Sequence, residues 1–105
     1  MTKLKILPGI CGLITLVEAN SDDGLDVTLI IKSDCDAVSK MFKELGSTFD
    51  SYDLCLVKPG EGPFYNYASV NFPGHCACPT ICGIIKAVEV ECKLALPKNV
   101  QIIFE

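Results

Sequence analysis

The first third of the chain alternates between apolar and polar residues in a way that predicts a β-hairpin. Residues 10–19 are rich in Leu, Ile, Thr and Val, which suits a strand that is covered on both faces. The turn-forming cluster NSDDG follows at residues 20–24. Residues 25–32 then carry apolar side chains at every second position, as a half-buried strand does. A hairpin that is symmetric about this turn sets Cys11 opposite Lys32.

Two later segments have the periodicity of helices. Ser33 is a suitable N-cap, Asp36 can complete a capping box, and Gly46 is a natural C-terminal stop, so a first helix is predicted between them. A second helix is predicted to start at Pro79, and Pro97 prevents its continuation. The apolar positions of this second helix are Ile81, Ile84, Ile85, Val88, Cys92 and Ala95.

The remaining segments have weaker patterns. Residues 51–57 alternate and predict a short strand, whereas the Pro- and Gly-containing residues 58–74 predict a long ordered loop. The aromatic side chains of this loop are expected to attach it to the body or to cover a site: Phe64, Tyr65, Tyr67 and Phe72. Residues 99–105, NVQIIFE, predict a last strand with Val100, Ile102 and Phe104 on one face.

Together these elements predict one α+β domain over residues 1–105. The expected order is β-β-α-(loop)-α-β, which gives a two-layer sandwich. Its sheet is expected to be small and mostly antiparallel, with the helices on one face. The last strand has the pattern of an edge that can pair across a homodimer.

Composition and charge narrow the function. The chain has 105 residues, half of them hydrophobic, which suits a single core. Its net charge is −4 and it has no basic stripe, so neither a nucleic acid nor an anionic membrane surface is an expected partner. The apolar run at residues 10–17 is far shorter than the ~18 residues of a membrane span. We therefore expect a cytoplasmic protein with a buried strand in this region.

The cysteine content is the most informative feature of the composition. Seven cysteines in 105 residues are more than proteins ordinarily contain, and an odd number cannot pair completely within one chain. Reduced thiols inside a cell fit this count better than a secreted disulfide scaffold does. Clustered thiols in that setting indicate metal binding or redox chemistry. Cys92 and Cys55 are expected to be packing residues, because cysteine often behaves as a small hydrophobe.

The densest cluster is GHCACPTIC, residues 74–82, which brackets the start of the second helix. Cys35 lies near the start of the first helix. Cys11 lies at the end of the hairpin away from its turn, which is next to the start of that helix. If the last strand pairs antiparallel with the first, in the sheet order 2-1-3, all of these residues converge at one end. A helix N-terminus stabilises a thiolate, and nearby glycines (Gly9, Gly12 and Gly74) permit close backbone approach.

These residues suggest two ligand sets. For an iron–sulfur cluster the candidates are Cys11, Cys35, Cys76, Cys78 and Cys82. For zinc or another single metal the candidates are Cys35, Cys76, Cys78, Cys82 and His75. Neither the paired C-x2-C of a zinc ribbon nor the bacterial ferredoxin run is present, so the spacing by itself does not name the metal.

A family resemblance rests on three stretches: FPGHCACPTICGIIKAVEVECKLALPKNVQIIFE, GICG near the start, and SDC at a helix start. With these the chain resembles a family of small uncharacterised cysteine-bearing proteins of anaerobic prokaryotes. The resemblance implies reduced thiols and abundant iron–sulfur chemistry, and brings no activity with it. The β-β-α order is also similar to that of small iron–sulfur carrier domains, but their C-x2-C motif is absent here, which argues against a carrier role.

Three functions remain open from the sequence. The first is a small cytoplasmic protein that binds an iron–sulfur cluster or a metal for electron transfer, cluster handling or sensing. The second is a thiol–disulfide redox protein that acts on an unidentified redox partner. The third is a non-catalytic interaction domain whose cysteines only pack. No motif of a known catalytic centre is present, so an enzyme is the weaker expectation.

Overall fold

A computed structural model describes all residues, 1–105, and has the predicted α+β class. The strands are β1 (Thr2–Ile6), β2 (Thr15–Asn20), β3 (Asp26–Ser33) and β4 (Thr48–Asp50). The helices are α1 (Asp36–Leu45), α2 (Ser51–Cys55), α3 (Pro63–Asn71) and α4 (Thr80–Glu91). The helices cover one face of a small antiparallel sheet, as expected.

The sheet has the order β1-β2-β3-β4, and every neighbouring pair is antiparallel. The order 2-1-3 was therefore wrong, and so was the register of the hairpin. Lys32 pairs with Leu16 rather than with Cys11, because the strand starts at Thr15 and the hairpin is centred further along the chain. The edge strand β1 was missed, because its five residues are too few for a firm pattern.

The core lies between the sheet and the helices. Each strand places alternate side chains into it, and α1 and α4 add the apolar faces that their periodicity predicted. The central members are Val17, Ala19, Val27, Leu29, Met41, Ile84 and Val88. The opposite face of the sheet stays open, with Leu16 and Ile30 about half exposed among lysines. Burial on a single face explains why these strands alternate so clearly.

The segment between α1 and α4 is helical, not the strand and loop that its sequence predicted. Residues 51–55 form α2, because Asp50 caps the first turn by accepting bonds from the N–H groups of Tyr52 (2.8 Å) and Asp53 (3.4 Å). Residues 63–71 form α3, with Pro63 at its start. The buried Phe64 of α3 packs against Phe42 and Phe49 at ring separations of 5.1 and 5.0 Å. The aromatic residues thus attach this segment to the body, as expected.

The chain after α4 does not form the predicted last strand. Residues 96–105 have no regular secondary structure, and all of them are exposed. The alternating pattern NVQIIFE has the β-propensity of a strand, but no strand of the sheet pairs with it. None of the helices is long and apolar enough to span a membrane.

Candidate functional site

The direction of α4 determines where most of the cysteines lie. Its first turn crosses β1 so closely that a Cβ on Gly83 would lie only 2.7 Å from Ile6 Cδ1. Its last turn reaches the other end of β1, where Glu91 accepts a 2.8 Å bond from Thr2 Oγ1. The helix therefore runs antiparallel to β1. Its N-terminus, with the cysteines around it, lies beyond the Ile6 end of the sheet.

The cysteines of the hairpin region lie at this same end. Ile6, Thr15 and Ser33 are neighbours across β1, β2 and β3, so the ends of β1 and β3 are about 10 Å apart. Cys11 lies in the loop that joins β1 to β2, and Cys35 follows the end of β3. We call this the cysteine-bearing end. It comprises Cys11, Cys35, His75, Cys76, Cys78 and Cys82.

The residues that the sequence singled out thus lie at the same end of the sheet, although for a different reason from the one expected. The expected arrangement needed a last strand paired with the hairpin. The structure has no such strand, and the packing of α4 on β1 and β2 instead sets the start of α4 at this end.

The start of α4 has unused hydrogen-bond donors. Pro79 is the N-cap residue and offers no side-chain acceptor. The N–H groups of Thr80, Ile81 and Cys82 donate no hydrogen bond within the chain. Cys82 is exposed, and Cys78 just before the helix is half-buried. Free N–H groups and the dipole of a 12-residue helix favour a negative charge here, such as a thiolate.

The start of α1 is similar but differs from the predicted cap. Cys35, not Ser33, is the N-cap residue, and it has no side-chain cap bond. Ser33 Oγ instead accepts a 3.1 Å bond from the Cys35 N–H and lies 2.7 Å from Thr15 Oγ1. These bonds tie the end of β3 to β2 and fix the backbone of Cys35, whose thiol is half-buried.

The loop that carries Cys11 is joined to the chain before α1 at Ile14, whose N–H donates to Asp34 Oδ2 (3.2 Å) and whose carbonyl accepts from the Asp34 N–H (2.9 Å). One internal bond, from the Gly12 N–H to the Gly9 carbonyl (3.0 Å), closes a turn in which both glycines have positive φ. The predicted close backbone approach is absent, because nothing lies within 4 Å of the Cβ positions of Gly9, Gly12 or Gly74. At Gly9 and Gly12 glycine serves the turn conformation instead.

Tyr65 of α3 belongs to this end, and the sequence did not single it out. Partial burial raises the pKa of its hydroxyl, and so does the negative charge of thiolates at Cys82, Cys78 and Cys76. The three thiols and the phenol are therefore near enough to interact electrostatically. The only signal in the sequence was the aromatic cluster of residues 64–72, which could not identify the ring concerned.

No group of three or more His, Cys, Asp or Glu side chains is arranged in this structure so that it could hold a metal ion. The donor chemistry nevertheless suits a thiophilic metal, because five thiols lie at one end and none is in a disulfide. The residues fit such a group by type and position, and a change in the loops is needed to bring them to bonding distance.

The other two cysteines lie in the body of the protein. Cys92 is buried in the core at the end of α4, as predicted. Cys55 is half-buried and packs on the core, with its thiol 3.9 Å from the Ile85 carbonyl. Burial, then the charges of Glu89 and Cys92, raise the pKa of Cys55 to about 12. This thiol stays protonated and is unsuited to nucleophilic or ligand chemistry.

Comparison with known proteins places the chain in a family. The model of a family of unknown function, DUF6951, matches residues 2–104. The chain belongs to this family. No curated protein and no solved structure matches the chain. Membership of DUF6951 therefore supplies no reaction, ligand or partner, and the function has to be argued from the cysteine-bearing end.

Proposed function

We propose that this DUF6951 protein binds an iron–sulfur cluster or a single thiophilic metal ion at the cysteine-bearing end. Cys76, Cys78 and Cys82 are the principal ligands, and Cys35 is the fourth. Cys11 is a further thiol ligand for a cluster, and His75 is the alternative ligand for zinc. A bound cluster would supply one-electron chemistry, and the role would be electron transfer, cluster handling or sensing.

The separation of the cysteines into two groups carries the proposal. Five of the seven lie at one end of a small domain, and three of these are exposed: Cys11, Cys76 and Cys82. Exposure of cysteine is unusual, because free cysteine is among the most buried residue types. Packing explains Cys55 and Cys92 but does not explain five thiols at one end. A role of these thiols as metal or cluster ligands does explain their position.

The local backbone supports the same conclusion. Both helices that start at this end lack a side-chain cap, so their N–H groups are available to negatively charged sulfur. The segment before α4 has only two short-range backbone bonds, His75 N–H to the Pro73 carbonyl (2.7 Å) and Cys78 N–H to the His75 carbonyl (3.3 Å). Few bonds need to break for this segment to close on a metal, and metal binding commonly supplies the free energy for such ordering.

The test is metal and acid-labile sulfide content, with a visible spectrum, on protein purified without oxygen. We expect iron and sulfide in near-equal amounts, or zinc near one per chain. The variant with Cys76, Cys78 and Cys82 all changed to Ser should lose the bound metal. Cys55→Ser is the matched control and should keep it. Metal-free wild-type protein that also fails to take up iron with sulfide, or zinc, would refute the proposal.

A second candidate is thiol–disulfide exchange, and the lack of a preassembled metal group favours it. Cys78 and Cys82 flank the first turn of α4, one half-buried and one exposed. They would form a disulfide while a partner's disulfide is reduced to two thiols, with two electrons and two protons transferred. This function predicts no metal, and it predicts a Cys78–Cys82 disulfide in the protein recovered from a disulfide substrate.

A further inference from the structure

The segment after α4 has backbone groups that form no hydrogen bond within the chain, and it has exposed apolar side chains. No residue of the C-terminal segment, defined here as residues 96–105, makes a hydrogen bond within the chain. Ile102, Ile103 and Phe104 are 79%, 70% and 95% exposed. Isolated surface apolar residues are ordinary, but a contiguous apolar stretch of strand-forming residues marks an interaction surface.

The same chain has an unpaired strand edge. β1 lies at the margin of the sheet and pairs only with β2, so its outer row of N–H and C=O groups is free to receive another strand. Its side chains alternate: Lys3 and Lys5 lie on the open face, while Leu4 and Ile6 lie on the helix face. An added strand must match this alternation on both faces.

The C-terminal segment has an alternation of side chains that matches that of β1. In extended conformation Val100, Ile102 and Phe104 share one face, and Gln101, Ile103 and Glu105 share the other. The first face would continue the apolar helix side beside Leu4. The second face would set Glu105 beside the β1 lysines, with Ile103 against their aliphatic stems.

A turn ends α4, and the segment beyond it forms no hydrogen bond with its own chain. Lys93 adopts a left-handed conformation (φ 61°), and the N–H groups of Leu94 and Ala95 donate to the Glu89 carbonyl at 2.7 and 3.2 Å. These bonds set the direction of the chain before Leu96, and the segment beyond makes no bond to its own β1.

We propose that the C-terminal segment of one copy adds to β1 of a second copy, and that the exchange is reciprocal. Two identical contacts of this kind close a two-fold homodimer and leave neither β1 edge open. The contact satisfies backbone groups by strand addition and selects its partner by side-chain alternation and charge. It does not depend on the cysteine-bearing end, which can bind or fail to bind a metal in either state.

The first test is the oligomeric state of the full chain by sedimentation across a range of concentrations. A reductant is present throughout, so that disulfides cannot link the copies. We expect a dimer for the wild type and a monomer for the double variant Ile102→Asp with Phe104→Asp. Val70→Asp on α3 is the matched control, because Val70 is 81% exposed and should not affect the dimer. A monomeric wild type, or a dimer that persists in the double variant, would overturn the proposal.

The second test locates the contact. Isotopically heavy and normal chains are mixed, and a carbodiimide joins carboxylates to amines that touch. We expect Glu105 joined to Lys3 or Lys5 between a heavy and a normal chain. Such links found only within single chains would mean that the segment docks on its own β1, and their complete absence would mean that β1 is not the receptor. Either result contradicts the exchange.

Discussion

The two ends of α4 contact the same strand in different ways. At the C-terminal end the Glu91 carboxylate is 10% exposed and accepts bonds from Thr2 Oγ1 (2.8 Å) and the Ser21 N–H (3.0 Å). At the N-terminal end no side chain caps the helix, and Cys78 and Cys82 lie beside unused N–H groups. At the C-terminal end of α4, the Glu91 carboxylate thus has hydrogen-bond partners within the chain. The other end is held by the contact of Gly83 with Ile6 and leaves its donors free.

This difference separates structural cysteines from candidate functional ones. Cys92 ends α4, and Cys55 packs beside the middle of this helix at Ile85. Both lie in the body of the protein, where a charged thiolate is unfavourable. Cys76, Cys78 and Cys82 lie at the open end, where helix N–H groups favour a negative charge. Position in the fold, rather than cysteine content, is what distinguishes a candidate ligand from a packing residue here.

Thiol labelling gives the largest expected contrast between the two regions. A pKa of about 12 for Cys55, instead of 9.0, lowers its thiolate fraction near neutral pH about a thousand-fold. In reduced, metal-free protein at pH 8, we expect Cys55, which is half-buried and keeps its proton, to react with iodoacetamide orders of magnitude more slowly than the exposed Cys76. Mass spectrometry of timed samples measures both rates. Equal rates in the folded protein would remove the distinction; in denaturant the two rates should become similar.

Substitution at Gly83 should loosen the open end. In Gly83→Ala the new Cβ would meet Ile6 Cγ1 at 2.8 Å, so the start of α4 must shift. Overpacking costs about 1–3 kcal/mol, and the better helix propensity of alanine offsets about 1 kcal/mol. We expect a net loss of stability of up to about 2 kcal/mol in urea unfolding, together with faster labelling of Cys78.

The matched test for this contact is a double-mutant cycle. Ile6→Ala removes the atoms that the new methyl group would meet, so Gly83→Ala should cost little or nothing in that background. An unchanged cost in the Ile6→Ala background would show that α4 does not rest on β1 through this pair.

Substitution at Glu91 should give the smallest effect, and its sign depends on pH. Partial burial raises the pKa of Glu91, but bonds from Thr2 and Ser21 and the nearby Met1 amine outweigh it and hold the pKa below its ordinary value of 4.5. The carboxylate therefore stabilises the fold above about pH 4.5, and this contribution disappears as pH falls through the lower pKa of the folded state. Glu91→Gln should cost about 1 kcal/mol at pH 7.

The readout for Glu91 is the pH dependence of unfolding. At pH 3 the difference between Glu91→Gln and the wild type should shrink, since Glu91 takes up a proton and becomes neutral like the amide that replaces it. Glu89→Gln is the control, because Glu89 forms a partly exposed pair with Lys86 on the same helix and such pairs contribute little. A Glu91→Gln effect that is the same at both pH values would mean that the charge is not what fastens this end.

Much of the fold follows from local pattern. The strand at residues 25–32, α1 and α4 were predictable, because their periodicity reflects burial on one face. The helices at residues 51–55 and 63–71 were not, because α2 is only five residues long and α3 is punctuated by Pro and Gly signals at its start. The C-terminal segment has the pattern of a strand, but a strand also needs a partner, which local sequence cannot supply.

The membership of the cysteine-bearing end was predictable, but its geometry was not. The residues could be identified because they are cysteines that lie close together in sequence near predicted helix starts. The convergence itself depends on the direction of α4 against β1, which is set by tertiary contacts such as that of Gly83 with Ile6. Tyr65 is brought to this end by the packing of α3, and no spacing rule links it to the cysteines.

The most direct test of the account is to map which thiols can be joined by a bifunctional thiol reagent that spans about 10 Å, the separation of the β1 and β3 ends. The reaction is run on reduced, metal-free protein, and the joined pairs are identified by mass spectrometry. We predict links among Cys11, Cys35, Cys76, Cys78 and Cys82, and none from these to Cys55 or Cys92. Links that never connect Cys11 or Cys35 with the cysteines of α4, or that reach Cys55 equally well, would contradict a single cysteine-bearing end.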